Sequence, residues 1–190
     1  FVFTKSELKA VEKLISKLGI NSLNSDEAKI RALEMFMKSS INNKEGVGDN
    51  FTIDKMLDLK YGDETNLQKF YVASAQILNI PVEVVITSNR MKRKFDGDFP
   101  TWSSLQEYLV YYPSIGSYLS STNYFSRLGF PAPEFTGNKG LFIKETIIGD
   151  IKAAVSKVKT ITPPEVSKSY NNITSSVVFD PNTFTPIITM

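Results

Sequence analysis

The apolar residues of this chain change their period once, and that single switch limits the fold class. Through residue 78 they recur at helical spacing; beyond Pro81 they gather in short β-branched runs. Helices first and strands afterwards is the order of an α+β domain with an antiparallel sheet. It is not the alternating order of a parallel α/β sheet.

The helical half reads in four pieces. Residues 4–18 carry Leu8, Val11, Leu14, Ile15 and Leu18 on one face, with Thr4 and Glu7 in a capping-box pattern and Gly19 as the stop. A second helix runs from about Asp26 to Ser40 behind a cap at Asn24 or Ser25. Residues 42–50 (NNKEGVGDN) read as a loop. Thr52 then caps a short helix, and a fourth spans 64–78, ended by Pro81 acting on Ile80. Strands are expected at 82–88, 105–112, 117–120 and 141–145, with Pro113-Ser114-Ile115-Gly116 as the turn of a hairpin. Residues 147–161 fit either a short helix or strands. Thr162-Pro163-Pro164 reads as a linker. Val177-Val178-Phe179 and Ile187-Ile188 read as strands of a second, all-β domain. The expected division is therefore 1–161 and 162–190.

Two missing residue types restrict the chemistry. The 190 residues include no Cys and no His. Thiol nucleophiles, disulfides and thiolate metal sites are excluded, and so is every mechanism with a histidine base. The net charge of +2 argues against a polyanionic partner, so no nucleic acid is expected. No apolar run reaches the ~18 residues of a membrane-spanning helix. The chain opens on Phe1 rather than Met, which suggests a fragment or processed product whose signal peptide would be out of sight.

An ordered set of short motifs carries a resemblance. Lys60-Tyr61-Gly62-Asp63-Glu64 leads into a helix. Leu78-Asn79-Ile80-Pro81 then leads into a strand ending Thr87-Ser88-Asn89-Arg90. Later come Leu105–Tyr112, Tyr118-Leu119-Ser120-Ser121-Thr122, Phe130-Pro131 and Gly137-Asn138-Lys139-Gly140-Leu141-Phe142-Ile143. This set, covering about half of the chain, resembles the papain-like core of the transglutaminase-like superfamily. The likeness is closest to large multi-domain proteins of Bacteroidota-type bacteria. It implies a periplasmic or envelope-associated location. In that family the motifs hold a Cys, a His and an Asp; here those positions fall on Glu64, Tyr108 and Ser120. Acyl transfer through a thioester needs a thiolate and a base to generate it. The resemblance therefore implies a pseudoenzyme without cofactor or metal, acting in binding or scaffolding on a peptide, a polysaccharide or another protein segment.

Several residues admit a sharper and a plainer reading. Glu64 either serves as a new catalytic acid beside a second carboxylate, or simply complements the macrodipole of its helix; Asp63 is the expected N-cap. Asp63, Asp96, Asp98 and Glu107 are further acids too generic to rank. Asp96-Gly97-Asp98 lacks the remaining ligands of a calcium loop and reads as a polar turn. Arg90, Lys92, Arg93 and Lys94, near Trp102, read as a solvated loop or a protein-facing one. Tyr108, Tyr111, Tyr112, Tyr118 and Tyr124 form an expected aromatic cluster, lining a cleft or packing across strands. The candidate binding residues are Tyr108, Trp102, Arg90 and Tyr118. Asn50-Phe51-Thr52 and Asn172-Ile173-Thr174 match a glycosylation pattern that carries no meaning in a bacterial source.

Overall fold

The computed structural model describes residues 1–48, 50–96, 105–168, 173–179, 183 and 186–189. Trp102, Gly97, Asp98 and Asn172 lie outside them. The fold is mixed α+β. Among the described residues it has four α-helices followed by an antiparallel five-stranded sheet.

α1 (Lys5–Lys17) starts at the expected capping box. The Thr4 side chain accepts the Glu7 N–H at 3.2 Å, and the Glu7 carboxylate accepts the Thr4 N–H at 2.8 Å. α2 (Asp26–Ser40) is capped by Ser25, which accepts the Ala28 N–H. α3 (Ile53–Leu59) and α4 (Glu64–Ile77) follow. The loop expected at 42–50 holds one further element. β1 (Asn42–Asn43) pairs in parallel with β2 (Tyr61–Gly62) between α3 and α4. Two-residue strands leave no periodicity to read.

β3 (Glu83–Thr87), β4 (Glu107–Tyr112) and β5 (Ser117–Leu119) form the expected meander. β6 (Lys139–Ile148) and β7 (Ile151–Thr160) complete the sheet in the order β5-β4-β3-β6-β7. The ambiguous segment is therefore a strand. Its alternating Val, Lys and Ser suit an exposed edge better than a helix face, and most of β7 is exposed. β8 (Ser176–Phe179) and β9 (Pro186–Thr189) pair with each other, where strands were expected.

The pleat sorts the core into two faces. Val110, Tyr112 and Leu119 point to the helices and join Val11, Ile15, Phe70 and Tyr71 in the main cluster. Val85, Leu109, Tyr118 and Phe142 point the other way, covered by Ala132, Phe135 and Ile161. Ile86, Phe95 and Leu105 make a third group, against which Tyr108 packs. The five tyrosines are thus not one cluster. Tyr111 and Tyr118, with ring centroids 4.7 Å apart, share a face that Tyr108 and Tyr112 do not.

The Gly-Asn-Lys-Gly turn has a steric and a polar reason. Asn138 is fully buried. Its side chain donates to the Ser88 carbonyl at 2.9 Å and accepts the Phe95 N–H at 3.1 Å, tying the end of β3 to the start of β6. Gly140 lies so close to β3 that an added Cβ would sit 2.8 Å from Val85 and 3.1 Å from Ile161. Gly140→Ala is expected to lower unfolding free energy by about 1–3 kcal/mol through overpacking, read from urea denaturation.

Glu7 is 1% exposed and also bonds Ile53 and Lys69. Burial pushes its pKa up, but the Lys69 ammonium and the donors from Thr4 and Ile53 outweigh this and hold it below the ordinary carboxylate value. Its contribution is present above its unfolded pKa and is lost as pH falls through the folded one. Glu7→Gln is expected to cost about 2–4 kcal/mol near neutrality. In urea titrations at several pH values, the gap to wild type should close in the acid range.

Candidate functional site

Glu64 is the candidate residue that opens α4. Lys60, at φ 62°, ends α3 and turns the chain sharply into β2. Gly62 then passes Met56 so closely that a Cβ would lie 2.8 Å from its side chain. Asp63 follows as the expected N-cap. Its carboxylate accepts the Asn66 N–H at 3.0 Å, and the Asn66 side chain accepts the Asp63 N–H at 3.3 Å. That leaves Glu64, the first residue of α4, without a capping duty.

The register Val110↔Leu119 puts the start of β4 and the residues after β5 at the same end of the sheet. A cleft of about 310 Å³ opens there, lined by Asn43, Glu45, Asp63, Glu64, Thr65 and Thr122. Its far wall is fastened by Tyr124, whose hydroxyl accepts the Asn43 N–H at 2.9 Å and donates to the Ile41 carbonyl at 2.7 Å. The Ser121 hydroxyl, beside Thr122, is buried with no hydrogen-bond partner among the described residues.

Glu64 is half-buried, and its pKa is pushed up to about 7. Burial is the main cause, followed by the negative charges of Glu107 and Asp63. The macrodipole acts in the opposite direction, favouring the anion at this position. Glu107, at the start of β4, is also raised. Burial is again the main cause, and Lys92 opposes it while Glu134 adds to it.

The three positions singled out by the motifs have different surroundings. Glu64 lines the cleft, and Ser120 is buried two residues before Thr122. Tyr108 is the second residue of β4 and packs on Ile86, Phe95 and Leu105. Of the binding candidates, Tyr118 is 6% exposed, its ring tilted against Tyr111 and edge-on to Phe142, which makes it a core residue. Arg90 is exposed but has a local duty. Its N–H bonds the Glu134 carbonyl and its Nε the Pro133 carbonyl, fastening the 133–137 turn. Trp102 lies outside the described residues. Asn43, Glu45 and Tyr124 were not singled out for the cleft by sequence. They come from distant loops, and no spacing links them to Glu64.

Among the described residues no cluster of three or more acidic side chains is placed to hold a metal ion, and no helix is long and apolar enough to cross a membrane. No family model, curated protein or solved structure matches the chain.

The Glu64 carboxyl should titrate near pH 7 when followed by ¹³C NMR. Glu107→Gln removes a neighbouring negative charge and should move that midpoint down. A midpoint in the ordinary carboxylate range in both proteins would refute this electrostatic picture.

Proposed function

We propose that this chain is a non-catalytic binding module on a transglutaminase-like, papain-like core, with residues 162–190 a linker and the first strands of a β domain. The observation that carries the reading is the cleft at the N-terminus of α4, whose lining includes both Glu64 and Thr122. These are the places where the motifs of the resembled family hold its nucleophile and, two residues upstream, its acid. The element order also agrees: a helix, a three-stranded meander, then a strand closing on its first member. With neither Cys nor His in the sequence, the thioester chemistry of such a core has no reagents. What is left is a polar concavity of hydroxyls, an amide and carboxylates. It suits an extended peptide segment presenting N–H groups or an amine. The resemblance gives a bacterial envelope as its setting.

A second reading has its own support. The raised pKa of Glu64, sustained in part by Glu107, is what a carboxylic acid needs in order to deliver a proton near neutrality. In that reading the cleft is a repurposed hydrolase using Glu64 with Glu107 as the second acid.

Two variants separate the readings. Thr122→Arg fills the cleft, and Glu64→Gln keeps its shape while removing the titrating group. Peptides selected from a random display library on the wild-type chain should lose binding to Thr122→Arg and keep at least part of it with Glu64→Gln. Peptides that bind the Thr122→Arg protein equally well would overturn the binding-cleft reading. The hydrolase reading instead requires turnover of aryl glycosides or esters that disappears in Glu64→Gln and declines as pH rises through about 7, as the acid loses its proton.

A further inference from the structure

A second concavity, sharing no lining residue with the Glu64 cleft, lies between α2 and the loop after β5. It measures about 350 Å³ and is lined by Arg31, Glu34, Met35, Lys38, Ser39 and Arg127. Three of these are cations, and the one carboxylate is already satisfied. Glu34, 4% exposed, takes the Leu128 N–H on both oxygens at 3.1 Å and the Lys38 ammonium at 2.7 Å. Lys38 in turn also donates to the Ser126 carbonyl. This buried pair is structural.

The two guanidinium groups differ from it. Arg31 is about half exposed and, among the described residues, engages Glu27, itself half exposed, through an i,i+4 contact in which Nε and Nη2 both donate to one carboxylate oxygen at 2.9 and 2.8 Å. Such exposed helical pairs are weak and exchange readily for a better partner. Arg127 gives Nη1 to the Tyr124 and Ser126 carbonyls, which fixes the group in place. Its Nε and Nη2 have no partner among the described residues. Met35, in the same lining, stands 75% exposed. An exposed methionine is an adaptable apolar contact of the kind found at binding surfaces.

We infer that the concavity between α2 and Arg127 is a docking site for an acidic peptide segment, one carboxylate of which is held by Arg31 and Arg127 while an adjoining apolar side chain lies on Met35. Charge complementarity selects the carboxylate, since the one acid among the described lining residues, Glu34, is paired with Lys38. Guanidinium groups bind carboxylates through paired N–H donors. Met35 selects a peptide over a small anion, because an inorganic ion would leave it unused. The site is separate from the Glu64 cleft and stands whether or not that cleft binds anything.

The test follows the Met35 methyl signal by NMR in the full chain labelled with ¹³C-methyl methionine. The probes are a capped peptide of alternating Glu and Leu, its Gln–Leu counterpart, and inorganic phosphate. The Glu–Leu peptide should shift Met35 saturably, the Gln–Leu peptide should be much weaker, and Arg31→Ala should weaken the response about fivefold or more, as should added salt. Arg31 makes no buried contact, so Arg31→Ala should keep the wild-type spectrum elsewhere. An unmoved Met35, equal responses to the two peptides, or indifference to Arg31→Ala would overturn the proposal. Phosphate binding as tightly as the Glu–Leu peptide, with the same dependence on Arg31, would overturn it in favour of a small-anion site.

Discussion

The two oxygens of Glu7 hold three helices in register. One closes the capping box of α1 on Thr4; the other takes the first N–H of α3, at Ile53, and the ammonium of Lys69 on α4. A carboxylate this deeply buried is tolerable only when every partner is present, since an unpaired buried charge is expensive. Shifting α3 or α4 alone therefore strands the charge. The cleft depends on this directly, because α3 and α4 bracket the short Lys60–Asp63 connection that delivers Glu64. Asn66 extends the same fastening: its side-chain amide donates to the Phe51 carbonyl, just ahead of α3.

Glu34 is a second buried carboxylate used in the same way. It ties α2 to the loop after β5 through Leu128, with Lys38 adding Ser126. Tyr124, in the same loop, reaches back to Ile41 and Asn43. The chain from Asn123 to Leu128 is thereby fixed at both ends, although it has little regular structure. One wall of the Glu64 cleft and one wall of the arginine-lined concavity are set by this loop. Their geometry thus rests on polar contacts of this loop with α2 and the Ile41–Asn43 segment.

The helices were legible because each carries its own signals. Thr4 with Glu7, Ser25 and Asp63 are local caps, and apolar spacing does the rest. The meander was legible from β-branched runs and a Pro-Gly turn. What escaped was non-local. β7 could not be told from a helix because an edge strand lacks the apolar alternation of a half-buried one. The tyrosines read as a group because they are close in sequence, yet the pleat and the loop send them to different places. In the site, Glu64 and the 120–122 segment could be singled out from motif order. The charge of Glu107 acting on Glu64, and the clamp at Tyr124, arise only from folding. Tyr118 and Arg90, chosen for their residue type, turned out to have local structural duties.

Glu64 is where local and tertiary forces disagree, and the outcome bears on function. A glutamate in the first turn of a helix is ordinarily stabilised as an anion. Asp63 occupies the capping position, so no backbone bond compensates Glu64 for partial burial, and Glu107 and Asp63 add two negative charges nearby. Its folded pKa lies above the unfolded one, so the folded chain favours the protonated form and loses stability as pH rises toward 7 and ionisation proceeds. A residue selected for stability alone would be better as Gln, which keeps the shape without the charge. An ionisable group at that point of the cleft can respond to a ligand that either takes its proton or supplies a compensating positive charge. Both proposed readings of the cleft need one or the other.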